Sequence, residues 1–303
     1  MNMIAYIVSP VAALLLSPLL VGIINKTKAA FAGRQGQPLL QAYYDLCRLF
    51  RKGVVYSKTT TWVFRVAPII IFCSTLAATC FVPFVATGSQ FSFLGDVVLL
   101  LYLLGFARFF LILSALDTGS AFEGMGASRE AFFSALAEPV TFICILNIMR
   151  ANATGSVVTA LSLPMTPSIL ALLVAIPLFL ILLAENSRIP FDDPNTHLEL
   201  TMIHEVMILD NSGPGLALLE YAAAMKLWLF SLVLGRVLLP VSSSHPVAQV
   251  VLLLGLMIAI AVAVGVVESV TARVRLLKVP QLLFSAFVLA LLGFFLSVNG
   301  VFA

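Results

Sequence analysis

Ionisable residues inside long apolar stretches are the feature of this sequence that most suggests chemistry. A charged side chain near the centre of a membrane span costs about 2.5–3.5 kcal/mol, so such a residue is a functional candidate by default. Buried carboxylates and bases also have tunable proton affinities, which a proton relay needs. Structural ion pairs, such as Arg108 with a glutamate, are the alternative. We expect a proton relay of Glu138, Glu185, Glu220 and Glu268, with Arg108 and Lys226 tuning the glutamates.

The segment 185–214 combines histidines, carboxylates and prolines. Pro190 and Pro194 interrupt any helix and favour a rigid turn that carries acidic residues. A capping box at 196–199 predicts a short helix over about 197–209. Position 208 is Ile where a zinc-protease motif needs a second histidine. Two histidines on one helix face are compatible with a metal site, with hydrogen bonding or with proton transfer near neutral pH.

We interpret this segment as a partner-docking or proton-handling loop. Its proposed contact residues are Asp192, Asp193, His197, Glu199, His204 and Glu205, joined by Arg34, Asp45, Arg129 and Arg188 from neighbouring positions.

Two other segments carry patterns of their own. Residues 37–54 place apolar side chains at three- and four-residue steps and basic side chains elsewhere, which predicts an amphipathic helix in the membrane interface. That helix would be a lipid anchor or a wall of a site at the membrane surface. Residues 117–130 contain three glycines, which favours a tight, protein-packed loop. The segment lacks the Lys-Ser/Thr ending of a phosphate-binding loop, so we do not expect nucleotide binding.

The composition defines the class of protein that must position these residues. The 303-residue chain is 61% apolar and only 10% charged, and its mean hydropathy is +1.10. Soluble domains carry about 25% charged residues, which excludes a cytosolic enzyme. A formal charge of +3 does not indicate a nucleic-acid partner. The four cysteines form no CxxC pair, so we expect no iron–sulfur or zinc site in this chain. We also expect no other cofactor and no catalytic residue in it.

Eight stretches are apolar enough to cross a bilayer as helices, which predicts an all-α polytopic protein. They cover about 3–24, 63–86, 95–116, 131–150, 168–184, 215–239, 246–269 and 279–298. Twelve of the 17 Lys and Arg residues fall in the alternate loops 25–62, 117–130, 185–214 and 270–278. Basic loops stay in the cytoplasm, so both termini are expected outside. We interpret 1–303 as a single integral membrane domain without a cleaved signal.

Several motifs together resemble one family. They are Arg34-Gln-Gly-Gln-Pro in the first inner loop, the Gly-Ala-Ser-Arg-Glu and Glu138-Pro motifs within 122–139, Glu185 with Arg188-Ile-Pro-Phe-Asp192 and Glu199-Leu, and Leu219-Glu-Tyr221. The chain is similar to the heel subunit of respiratory complex I, subunit one of its membrane arm. It resembles more closely the counterparts in energy-converting nickel–iron hydrogenases and formate hydrogenlyases.

This resemblance implies a subunit that is not catalytic alone but belongs to a plasma-membrane oxidoreductase complex. Its implied partners are peripheral hydrogenase-like large and small subunits, antiporter-like membrane subunits and the lipid bilayer. Iron–sulfur clusters and a nickel–iron centre would lie in the partners, and glutamates of this chain would relay redox energy to proton or sodium pumping. The alternatives are a quinone-site subunit of a complex I type enzyme and a stand-alone secondary transporter.

Overall fold

The computed structural model describes residues 3–85, 92–163, 169–192, 202–239 and 246–299. Within these residues the regular secondary structure is entirely helical, with no β-strand. The elements are α1 (Met3–Phe31), α2 (Gln41–Phe50), α3 (Trp62–Thr79), α4 (Asp96–Asp117), α5 (Ala121–Ala151), α6 (Val157–Ser162), α7 (Ile169–Glu185), α8 (His204–Met207), α9 (Gly213–Leu238), α10 (Pro246–Val270) and α11 (Val279–Val298), with a 3₁₀ turn at Leu276–Lys278.

The helices confirm the expected polytopic membrane fold. In the described part of the chain, seven helices are long and apolar enough to cross a membrane. They are α1, α3, α4, α5, α9, α10 and α11. Helix α7 is apolar but has only 17 residues, and it lies where the fifth of the eight spans was predicted. The chain is therefore a multi-pass membrane protein.

Several predicted boundaries are wrong, and the end of α3 and the start of α5 are two of them. Helix α3 ends at Thr79, several residues before the predicted end at 86. Pro83 follows closely, and proline has no amide hydrogen and disfavours helix in the preceding residue. Helix α5 begins at Ala121, so most of the predicted glycine-rich loop 117–130 is helical. Gly126 allows this helix to approach α8, because an added Cβ would lie 2.3 Å from Val206 Cγ1.

The segments before α3 form the predicted amphipathic element. Helix α2 lies within the expected range 37–54 and buries Leu46 while Tyr44 and Phe50 remain exposed. It packs against α1 and α9, and the Tyr43 hydroxyl donates to the Leu15 carbonyl oxygen at 2.5 Å. Helix α1 continues past its predicted end to Phe31, which places Lys28 2.7 Å from Glu268 of α10.

The segment 185–214 differs from the predicted helix over 197–209. Of this range the structure describes 202–209, and only His204–Met207 is helical there. The Asp192 carboxylate accepts hydrogen bonds from the backbone N–H groups of Ile203 (2.9 Å) and His204 (3.3 Å). A distant carboxylate therefore fixes the start of α8, a contact that a local capping motif does not predict.

Helix α9 occupies the centre of the bundle. It contacts α1, α2, α3, α7 and α10, and it is the most buried of the seven candidate spans in the described residues. A helix enclosed on all sides has no lipid-facing stripe, which agrees with its weak amphipathic character. Polar groups on α9, such as Glu220 and Lys226, therefore face other helices or cavities of the protein.

Candidate functional site

Four helices place charged side chains around one buried arginine. Arg108 of α4 is only 6% exposed, and its Nη2 lies 2.6 Å from the Glu185 carboxylate at the end of α7. Its Nη1 contacts Glu138 of α5, and its Nε lies 3.4 Å from Glu130 of the same helix. Lys226 Nζ of α9 lies 2.7 Å from Glu185. We call these five residues the Arg108 cluster.

The Arg108 cluster combines two cations with three carboxylates. A planar guanidinium suits this role, because its five N–H donors can face several carboxylates at once. Glu185 contacts both cations and is 5% exposed, whereas the Glu138 side chain is 53% exposed. The cluster therefore runs from the interior of the bundle to its surface.

Glu138 reaches the surface of a membrane-spanning helix. Ala135 and Phe142, three residues before it and four after it, are exposed on the same side of α5. Exposed aromatic side chains of α4, including Phe106, lie on the neighbouring helix. Gly105 of α4 faces the carboxylate, since an added Cβ there would lie 3.7 Å from Glu138 Oε1. The carboxylate thus ends the cluster on an otherwise apolar face.

Two cavities adjoin the cluster. A small cavity of about 60 Å³ is lined by Glu130, Glu185 and Lys226 together with apolar side chains of α3, α4 and α9. A large cavity of about 290 Å³ is lined by Asp45, Arg188, Asp192, Glu205 and Glu220 and by parts of α1 and α2. Glu220 is exposed along this large cavity. The two cavities share wall residues, so they are neighbours across one wall between α2 and the Arg108 cluster.

His204 and Glu205 of α8 lie at these cavities. Burial lowers the pKa of His204 to about 4, and the nearby cations Lys226 and Arg188 act in the same direction. The imidazole is therefore neutral near pH 7. Burial raises the pKa of Glu205, and the Asp192 carboxylate acts in the same direction. Both effects follow from removing charge from water near charges of the same sign.

A second group of ion pairs surrounds Glu268. Its carboxylate lies 2.7 Å from Lys28 and 3.4 Å from Arg188, and its side chain is fully buried. Arg273 similarly lies 2.9 Å from the buried Asp192. These contacts join the segments after α7 and α10. The structure thus separates Glu268 from the Arg108 cluster, with which it shares no ion pair among the described residues.

The remaining docking candidates occupy different surroundings. Arg34 is exposed, Asp45 accepts a hydrogen bond from Gln41 at 2.9 Å and lines the large cavity, and Arg129 donates to the Met202 carbonyl oxygen at 3.0 Å. Asp193, His197 and Glu199 lie outside the described residues. Among the described residues, no group of three His, Cys, Asp or Glu side chains could hold a metal ion.

Glu130 of the Arg108 cluster is not among the residues that the sequence indicated. The glycines of residues 117–130 predict a loop, and in a loop the spacing between Glu130 and Glu138 does not indicate that the two side chains lie on one face. Glu130 and Glu138 are eight residues apart, which places them near one face of a helix about two turns apart. A helix start at Ala121 would have made this pairing visible.

Comparisons with known proteins give the family. Residues 3–298 match the sequence profile of the family described as NADH dehydrogenase. The chain is 31% identical to formate hydrogenlyase subunit 4 of Escherichia coli (strain K12), covering 92% of this chain and 93% of that protein. It is 30% identical to hydrogenase-4 component C of the same organism, covering 96% and 94%.

A solved structure shares the fold. The membrane-bound sulfane sulfur reductase, an archaeal respiratory membrane complex, contains a chain that superimposes with a TM-score of 0.84 at 20% identity, over 97% of this chain and 98% of that one. The family resemblance drawn from the inner-loop motifs is thereby confirmed. The Arg108 cluster and its two cavities lie in a chain that belongs to the NADH dehydrogenase family.

Proposed function

We propose that this chain is the ion-translocating membrane subunit of a multisubunit hydrogenase-type oxidoreductase. The observation that carries the proposal is the Arg108 cluster, in which a buried cation holds three carboxylates beside an internal cavity. Protonation of one carboxylate changes the charge that its neighbours feel, so protons in such a cluster are coupled. A protein that only needed stability would gain little from this arrangement, since a buried ion pair is weak evidence for stability.

The proposed relay runs from the large cavity to the exposed face of α5. Glu220 lines the large cavity, Glu185 and Glu130 line the small one, and Glu138 lies beyond Arg108 at the surface. Glu268 would act on the relay indirectly, through Arg188, which lines the large cavity.

The exposure of Glu138 is an argument for a neighbouring membrane subunit. A carboxylate that faced lipid at this depth would be costly, and it is flanked by an apolar, aromatic surface. We infer that an antiporter-like subunit covers this face. The relay would end there and drive proton or sodium pumping in that subunit. The relatives, named as a subunit of formate hydrogenlyase and a component of hydrogenase-4, support partner subunits in general.

The large cavity and its loops would form the docking side of a peripheral arm. The exposed residue Arg34 and the segment around 193–201 belong to inner loops, which the distribution of basic residues places in the cytoplasm, with both termini outside. Peripheral hydrogenase-like large and small subunits would bind here. They would supply the iron–sulfur clusters and the nickel–iron centre, while this chain supplies charged groups and no cofactor.

Glu185→Gln in the native complex tests the proposal. The purified complex is reconstituted into vesicles, and ions translocated are measured per electron transferred from formate or hydrogen. We expect the ratio to fall by at least about tenfold, since the neutral amide cannot exchange a proton. Asp210→Asn, at an exposed carboxylate outside the two cavities, is the matched control. Normal translocation in assembled Glu185→Gln complexes would refute the relay.

Two further measurements separate the alternatives. Turnover that quinone analogues do not inhibit favours the hydrogenase type over a quinone-reducing complex. The chain purified alone and placed in vesicles should transport nothing, whereas a stand-alone transporter would move its substrate.

A further inference from the structure

The two cavities meet at only one titratable side chain among the described residues. Four residues line both of them, namely Asn186, Ser187, His204 and Ala223. An amide, a hydroxyl and a methyl group have no basic nitrogen that could accept a proton, whereas a neutral imidazole has one. The large cavity contains Glu205 and Glu220, and the small cavity contains Glu130 and Glu185. A proton that passes between these carboxylate pairs must cross the shared wall.

We propose that His204 is the proton-transfer group that joins the large cavity to the Arg108 cluster. This inference rests on the proposed ion-translocating function and adds to it a residue and a route. It moves His204 from a partner-docking surface to the interior of the relay.

The chemistry of the step requires no cofactor. A neutral imidazole has one N–H donor and one nitrogen acceptor. It accepts a proton on its free nitrogen from the side of Glu205 and Glu220, and it releases the proton of its other nitrogen toward Glu130 and Glu185. The ring then regains its starting form by reorienting, so that its nitrogen without a proton again faces the side of Glu205 and Glu220. Cavities of these sizes have room for the water molecules that extend such a hydrogen-bonded path.

Burial, together with two nearby cations, keeps His204 in the neutral form that this step needs. Two sets of charged residues line the cavities on either side of His204. The small cavity contains Glu130, Glu185 and Lys226. The large cavity contains Asp45, Arg188, Asp192, Glu205 and Glu220. Burial and the two cations Lys226 and Arg188 together lower the pKa of His204. A permanently charged imidazolium would have no acceptor nitrogen and would block the path.

Contacts from three segments hold the backbone of His204 in place. Its N–H donates to Asp192 at 3.3 Å, and Asp192 is paired with Arg273 at 2.9 Å. Arg129 donates to the carbonyl oxygen of Met202, two residues before it. Gly126 brings α5 against α8, with Ile203 O 3.0 Å from the place of an added Cβ. One direct hydrogen bond and contacts to the two preceding residues thus fix the backbone that carries the imidazole.

The test compares His204→Gln with His245→Gln in the native complex in vesicles. His245 belongs to the connection between α9 and α10 and is the matched histidine control. We expect His204→Gln to lower ions translocated per electron by at least about tenfold and His245→Gln to leave the ratio unchanged. If the Gln variant does not assemble, the near-isosteric His204→Asn is measured against the same control.

Chemical rescue separates proton transfer from a structural role. In His204→Gly, added imidazole should restore translocation, because the adjoining cavities can admit the free ring. A loss that imidazole does not restore would overturn the proposal in favour of a positioning role. Normal translocation in His204→Gln, alongside failure in Glu185→Gln, would overturn this inference and leave the proposed function standing. Normal translocation in both variants would overturn both.

Discussion

The two ends of the helical bundle bury charged side chains in opposite ways. At the end formed by the start of α4 and the end of α9, Asp96 is 0% exposed and Arg236 is 5% exposed. Asp96 accepts hydrogen bonds from the Ser156 hydroxyl and from the N–H groups of Val157 and Val158 at the start of α6. Arg236 donates to the carbonyl oxygens of Pro83 and Phe84 at 3.1 and 2.9 Å.

At the other end, charged groups pair with one another and line cavities. Arg108, Glu185 and Lys226 have titratable partners, and the space beside them admits water. Backbone groups cannot take up a proton in this pH range, whereas carboxylates can. The comparison teaches that burial alone does not identify a functional charge, and that the nature of its partners does. Backbone and hydroxyl groups hold Asp96 and Arg236 inside the protein.

Among the substitutions that test this contrast between the two ends, Arg108→Met should have the largest effect on stability and ion translocation. It removes the cation shared by three carboxylates, and breaking a buried ion pair by removing one partner costs about 3–5 kcal/mol. We expect a lower melting temperature of the purified complex and loss of ion translocation per electron. Arg108→Lys keeps the charge without the planar fork and should restore only part of either. Unchanged translocation in Arg108→Met would show that the Arg108 cluster, like Arg236, only stabilises the fold.

Arg236→Met is the matched substitution at the other end. It leaves two buried carbonyl oxygens without their donor, at about 1–3 kcal/mol for each. We expect a lower melting temperature but an unchanged ratio of ions to electrons in complexes that assemble. A fall in that ratio would make the second arginine part of the relay and break the contrast between the two ends.

Gly126→Ala should have a smaller effect than the two arginine substitutions, and it should act by displacing α8. The new methyl group would lie 2.3 Å from Val206 Cγ1, and overpacking of this kind costs about 1–3 kcal/mol. Because α8 carries His204, we expect translocation to fall together with stability. Gly124→Ala on the same helix has nothing within 4 Å of the added carbon and is the control, with stability unchanged or slightly raised. Equal effects of the two substitutions would contradict the close α5–α8 contact.

The pH dependence of stability should show the smallest effect. The pKa of His204 is lowered to about 4 in the folded chain, whereas an unfolded histidine titrates near about 6.5. The unfolded state therefore binds the proton first, and the folded state loses stability as the pH falls below about 6.5. Between about pH 7.5 and pH 5.5 the loss should be about 1 kcal/mol.

Thermal denaturation of the complex at both pH values measures this loss, and the same melts of His204→Gln supply the comparison. The variant should lack the His204 part of the pH dependence, so its melting temperature should fall less on acidification. An identical fall in both proteins would show that His204 is not held neutral.

The charged residues of the membrane spans could be selected from the sequence because a charge in an apolar run is conspicuous. Arg108, Glu138, Glu185 and Lys226 stand out in this way, and the structure brings all four into one cluster. Glu268 stood out equally and forms a separate group with Lys28 and Arg188. The hydropathy of a span says that a charge needs a partner, but it does not say which one.

Local patterns also failed where a distant residue set the structure. The start of α8 is held by Asp192, and the helical segment 121–130 approaches α8 closely at Gly126. The low helix propensity of glycine costs only about 1 kcal/mol per residue relative to alanine, so tertiary packing can override it. Helix α2 was predicted well because its amphipathic period acts within ten residues.

The sequence by itself determined that this is an all-helical membrane protein of the NADH dehydrogenase family, since apolar run length and motif order are properties of the chain alone. Tertiary structure alone decided which charges meet, which become structural, and where two cavities share the wall at His204. The physical reason is that hydrophobic burial depends on one-dimensional composition, whereas ion pairs and hydrogen bonds depend on distances of a few ångströms between residues far apart in sequence.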